Sequence, residues 1–189
     1  MSLSNSKIKI NILILIPVFI AFGVIMRLIP HSPNFTPIGA IALWSGIYLP
    51  KRYAFLVAIG AMLLSDLVIG FYSLGIMASV YLGWIIMTSL GTISKNKLHA
   101  GLSVIAGSLL FFLLTNFAVW LFGSFYPATF DGLISSYINA LPFFRNSLTA
   151  NLIYSTALIA ITEYSFVIKP AHNRQLNSIK ISRQRFLHW

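Results

Sequence analysis

Four ionisable side chains break an otherwise apolar sequence. Arg27, Asp66 and Glu163 fall inside or at the edge of long greasy runs, and His31 lies in Arg27-Leu-Ile-Pro-His-Ser-Pro-Asn-Phe-Thr-Pro-Ile-Gly39, which packs three prolines into thirteen residues. A charge within such a run is costly and normally faces a partner or a cavity, so each is a candidate functional group. Imidazole titrates near neutral pH, which would suit His31 to proton relay or metal binding. The chain has four histidines, three acids and no cysteine, and these do not cluster at ligand spacing, so neither a metal nor a cofactor is expected. A Gly-x-Ser-x-Gly elbow, a His-Glu-x-x-His pair and a Gly-x-x-x-x-Gly-Lys phosphate loop are all missing from the sequence. An enzyme is therefore not expected and no residue is assigned as catalytic. The chemistry left to these side chains is hydrogen bonding and charge pairing with a small solute.

The elements that must position them are transmembrane. Of 189 residues 58% are hydrophobic and 8% charged, too few polar groups to cover a soluble fold. Thirteen Lys and Arg against three acids give a formal charge of +10, but the cations sit in short segments between apolar runs. They read as topology and not as a nucleic-acid surface. Met1 to Ile29 carries Lys7 and Lys9 ahead of an apolar core with no small-x-small cleavage site, and reads as a retained first helix.

Apolar runs lie at Ile10 to Ile29, Ile38 to Leu49, Tyr53 to Gly70, Gly75 to Ile93, Ala100 to Phe125 and Ser147 to Ile168. The second, bounded by Pro37 and Pro50, reaches only about 18 Å as a helix, short of the roughly 30 Å of hydrocarbon. If all six cross, Lys7, Lys9, Lys51, Arg52, Lys95, Lys97 and the tail from Lys169 through Arg174, Lys180, Arg183 and Arg185 fall on one side. Positive charge in short loops favours the cytoplasm. The expectation is an all-α integral membrane protein of six transmembrane helices with both termini cytoplasmic. Residues 1–168 form one domain and residues 169–189 a basic cytosolic tail. Between the last two runs, Leu133, Ile134, Tyr137, Ile138 and Leu141 recur at helical spacing, which predicts an amphipathic segment on the outer face ended by Pro142.

On this topology the polar residues gather in the outer half. Arg27 and Asp66 come to matching depth, either as an ion pair fastening the first run to the third, as part of a binding site, or both. Asn116 and Trp120 lie in the outer half of the fifth run, Asn151 and Tyr154 in that of the sixth, and Tyr72, Tyr81 and Trp84 around the fourth. Trp120 and Tyr72 suit interface anchoring, whereas Tyr81 and Trp84 lie deeper, where stacking on a flat ligand competes. Pro30, Pro33 and Pro37 stiffen the first loop, and His31, Asn34 and Thr36 give it hydrogen-bonding groups, so it reads as a wall or lid. Glu163, on the inner part of the sixth run, is expected to pair with Lys169 or Arg174.

Three segments carry a family resemblance. Pro30-His-Ser-Pro-Asn-Phe-Thr-Pro-Ile-Gly-Ala-Ile-Ala-Leu43, Leu64-Ser-Asp-Leu-Val-Ile-Gly70 with Val80-Tyr81, and Ala140-Leu-Pro-Phe-Phe-Arg-Asn-Ser147 resemble an uncharacterised family of small bacterial membrane proteins. That family is grouped with the substrate-binding S components of energy-coupling factor (ECF) vitamin transporters. The resemblance implies an S-component-like bundle in the bacterial inner membrane. It would capture a micronutrient near the outer face and dock on a transmembrane T component driven by an ATPase pair. The S-component Ala-xxx-Ala pattern is not found in the first run, while Ala54-xxx-Ala58 and Ala42-xxx-Gly46 occur in the third and second. The alternative is a self-contained proton-coupled carrier using Asp66 and Glu163, although no inverted repeat is visible.

Overall fold

A helix that is apolar on every face and too short to cross a bilayer comfortably is best placed inside protein. The segment Ile38–Tyr48 behaves this way in the computed structural model, which describes residues 12–164. Those residues form six helices: α1 (Ile12–Leu28), α2 (Ile38–Tyr48), α3 (Lys51–Ile69), α4 (Leu74–Ile93), α5 (Lys97–Phe122) and α6 (Phe130–Thr162). The chain is all-helical. Every residue from Ile38 through Gly46 is buried, and α2 touches all five other helices. Around it α1 packs on α3, α3 on α4, α4 on α5 and α5 on α6.

Prolines set the bounds of this central helix. Pro37 caps its start, and Pro50 forces Leu49 into extended backbone (φ −95°, ψ 154°), which separates α2 from α3 within two residues. The core has two parts. Trp44, Tyr48, Val57 and the stacked Phe19 ring fill one end, with Phe19 and Trp44 centroids 4.0 Å apart. Leu43, Met62, Trp84 and Met87 fill the other.

Helices α2 and α4 approach each other closely. A Cβ on Gly46 would strike the Thr88 carbonyl oxygen, and one on Gly91 would strike that of Leu43. Backbone therefore meets backbone, with no side chain between, as small residues permit in apolar surroundings.

Three helices, α3, α4 and α5, are long and apolar enough to cross a membrane. Leu56 and Leu67 on α3, Leu82 and Ile85 on α4, and Leu102 and Ile105 on α5 are exposed, an apolar exterior that suits lipid better than water. The sequence expectations for residues 1–11 and 165–189, the basic tail included, lie outside the described residues.

One expectation is corrected. The outer amphipathic segment does not end at Pro142: α6 is one helix of 33 residues that runs through it. Pro142 removes one backbone donor, a defect that normally ends or kinks a helix. Here Gly132, Ser136, Ala140, Ser147, Asn151 and Ser155 form a buried small-residue stripe on both sides of the proline. Packing along that stripe, chiefly against α5, overrides the local preference.

The α2–α4 contact makes a stability prediction. Gly46→Ala should cost about 1–3 kcal/mol through forced separation of the two backbones. Gly101→Ala, where an added Cβ meets open space, should be neutral or gain up to about 1 kcal/mol of helix preference. Melting curves in detergent that rank the two variants the other way would refute the close approach.

Candidate functional site

The loop of residues 29–37 between α1 and α2 is built to hold a shape. Its prolines fix three φ angles, Asn34 takes a left-handed φ of 61°, and Phe35 N–H closes a turn on Ser32 O at 2.9 Å. His31 Nδ1 bonds the Ile29 carbonyl at 2.7 Å, so its visible role is to brace the loop. A second attachment comes from α6, where Asn146 Nδ2 donates to Pro33 O at 3.1 Å and the Tyr154 ring meets Phe35 edge-on at 6.0 Å.

Beneath this loop lie two adjoining cavities that share Asn34, Val80 and Phe111. The larger, about 350 Å³, lies between α4, α5 and α6 and is lined by Phe112, Thr115, Asn116, Ser136, Asn139 and Phe143 among others. The smaller, about 290 Å³, reaches toward α1 and α3 and is lined by Arg27, His31, Asn34, Thr36, Met62, Tyr72 and Trp84. Phe111 stacks on Trp84 with centroids 4.2 Å apart, forming an aromatic wall on the smaller one.

An ion-pair network fixes the α1 side of the site. Arg27 Nη1 donates to Asp66 Oδ1 at 2.8 Å, to Ser65 Oγ at 2.6 Å and to Met62 O at 3.4 Å. The Tyr81 hydroxyl donates to the other oxygen, Asp66 Oδ2, at 2.9 Å. Asp66 is fully buried, so both of its oxygens are satisfied within protein and three helices meet on one carboxylate. Tyr72, in the connection after α3, has its phenol pushed above the usual range by burial, then by the Asp66 charge, with Arg27 opposing.

Arg27, His31, Asn34, Thr36, Trp84 and Asn116 thus line the cavities, while Asp66 and Tyr81 stand behind Arg27 and hold it. Two other expected residues point elsewhere. Trp120 Nε1 donates to Pro127 O at 3.0 Å and so pins the α5–α6 connection. Asn151 is buried, donates to Ser108 Oγ at 3.0 Å, and fills the space that Gly39 leaves by lacking a side chain. Sequence reading did not single out Phe111, Phe112, Thr115, Asn139 or Phe143. The tandem Phe111-Phe112, with Thr115 and Asn116 one turn on, was the available signal for a mixed aromatic and polar helix face.

At the far end of the bundle, Tyr48 donates to Glu163 Oε1 at 3.1 Å and Trp44 Nε1 donates to Thr162 Oγ1 at 2.8 Å. Glu163 is only 4% exposed, and the expected partners Lys169 and Arg174 lie outside the described residues. Among the described residues no group of three His, Asp or Glu is placed to hold a metal.

Removing one partner of a buried pair leaves an uncompensated charge, so Asp66→Ala should destabilise by about 3–5 kcal/mol. Tyr81→Phe, which loses one hydrogen bond, should cost about 1 kcal/mol. Asp66→Asn should lower both thermal stability and retention of bound solute. Lower stability with unchanged retention would confine the pair to helix fastening.

No curated protein and no solved structure matches the chain. The match to a described family extends over residues 6–172, a span that contains all six helices and both cavities. By that match the chain belongs to the family of unknown function DUF6580.

Proposed function

We propose that the protein is a membrane-embedded substrate-binding component of a micronutrient uptake system, of the ECF S-component type. The observation that carries this reading is the pair of adjoining cavities beneath the proline-stiffened loop. They combine aromatic walls with hydrogen-bonding side chains from the loop and from four helices, α1, α4, α5 and α6, as small-molecule pockets do. The loop loses little freedom on closing over a solute, which favours tight capture.

In this reading all six helices cross the bacterial inner membrane and both termini are cytoplasmic. Lys51, Arg52, Lys95 and Lys97 lie at the helix ends remote from the cavities, which agrees with a cavity mouth facing outward. The sequence has no phosphate-binding loop, so any ATP hydrolysis that drives uptake belongs to other chains, in this reading an ATPase pair acting through a T component. The chain itself binds and does not catalyse.

A proton-coupled carrier is the second reading. It is favoured by two buried carboxylates at opposite ends of the bundle, each bonded to a tyrosine: Asp66 to Tyr81 and Glu163 to Tyr48. Protonatable carboxylates within spans commonly mark proton paths.

Gentle purification from native membranes, with mass spectrometry of retained small molecules and accompanying proteins, tests the first reading. A stoichiometric solute together with a T component and ATPases is the expected result. An empty, solitary protein that supports proton-dependent uptake in liposomes would instead establish the carrier.

A further inference from the structure

Two side chains that line the smaller cavity, Arg27 and Trp84, carry N–H donors without acceptors among the described residues. Arg27 makes all of its polar contacts through Nη1, while Nε and Nη2 make none among the described residues. Its side chain keeps 17% of its accessible surface, and it lines the cavity. Trp84 lines the same cavity, is 7% exposed, and its Nε1 is buried without a partner among the described residues. A buried N–H left unpaired is costly, and an incoming acceptor removes that cost.

Acceptors of the opposite kind are missing. Among the described residues no Asp or Glu side chain lines either cavity, and both oxygens of nearby Asp66 are already taken, by Arg27 and by Tyr81. A cationic solute would meet a guanidinium and find no free carboxylate. Arg27 and Asp66 together sum to zero charge, so every negative charge a solute adds stays uncompensated, and a monoanion is less costly here than a dianionic phosphate.

We propose that the smaller cavity receives a carboxylate group of the solute, gripped by Arg27 Nε and Nη2 and by Trp84 Nε1, an assignment that rests on the binding reading above. The planar fork of guanidinium matches carboxylate with two parallel hydrogen bonds, which a lysine does not reproduce. The rest of the solute meets the other lining residues, Met62 and Phe111 on the apolar side and Asn34 and Thr36 on the polar side. The Arg27–Asp66 pair is then a positioning device. Asp66 occupies Nη1 and turns the other edge of the guanidinium to the solute.

The test uses the full chain in lipid nanodiscs and three probes that share a ring and differ in charge: benzoate, benzamide and benzylamine. In ligand-observed NMR titrations benzoate should bind saturably, at least about tenfold more tightly than the other two. Trp84→Phe retains a ring to stack on Phe111 and should weaken benzoate by about tenfold and benzamide, whose neutral carbonyl accepts a weaker bond, by clearly less. Arg27→Lys retains a cation beside Asp66 and should erase the preference for benzoate. Equal binding of the three probes, a preference for benzylamine, benzoate binding indifferent to Trp84→Phe, or no saturable binding of any probe would overturn the assignment. Retained-solute mass spectrometry separates the two levels. A neutral or cationic compound held in the protein sinks the carboxylate assignment alone, whereas an empty protein sinks the binding reading beneath it.

Discussion

The contact of α2 with α4 through Gly46 and Gly91 is the constraint on which the rest of the bundle is arranged. Bringing two backbones together without intervening side chains lets α2 sit at the centre, where an eleven-residue helix can touch five neighbours. In lipid, for which α3, α4 and α5 are long and apolar enough, such packing would not draw on the hydrophobic effect, and close van der Waals contact and satisfied polar groups would supply the cohesion. The buried side-chain bonds fit that account. Ser45 binds the Ala42 and Ala54 carbonyls, Asn151 binds Ser108, and Trp44 binds Thr162, each tying a turn or a helix pair where lipid would offer no substitute.

At the end of the bundle opposite Trp44 and Tyr48 lie the two adjoining cavities. There the α1–α2 loop spans the gap between α1, α3 and the α5–α6 pair, and the cavities are what remain beneath it. Arg27 and Asp66 hold the near wall, and Asn146 holds the loop to α6. The site is thus a product of unequal helix lengths as much as of particular side chains.

Much of this was legible in the sequence. Pro37 and Pro50 announced the bounds of α2, since neither position tolerates a continuing helix, and the depths of Arg27 and Asp66 along their runs announced their pairing. The α1–α2 loop was recognisable as a wall because its prolines act locally. What depended on rotation about helix axes was not legible. Asn151 and Asn116 look alike along the chain, yet one turns inward to Ser108 and the other toward a cavity, and only the seating of α5 against α6 decides between them. Trp120 was drawn away by Pro127, a partner seven residues on in an irregular connection. Pro142 misled because its local effect is strong, while the stripe that overrides it is spread over six small residues, each a weak signal alone.

The shortness of α2 has an electrical consequence. Its eleven residues rise about 16 Å, roughly half of a hydrocarbon core of about 30 Å. On the proposed topology Lys51 and Arg52 hold its inner end at the cytoplasmic surface, so the loop before it completes the crossing and runs from mid-depth to the outer face. A charged solute resting under that loop would already have crossed part of the transmembrane voltage. Since a full crossing is worth about 2.3 kcal/mol per charge at 100 mV, its occupancy would vary with the energetic state of the cell before any transport step begins.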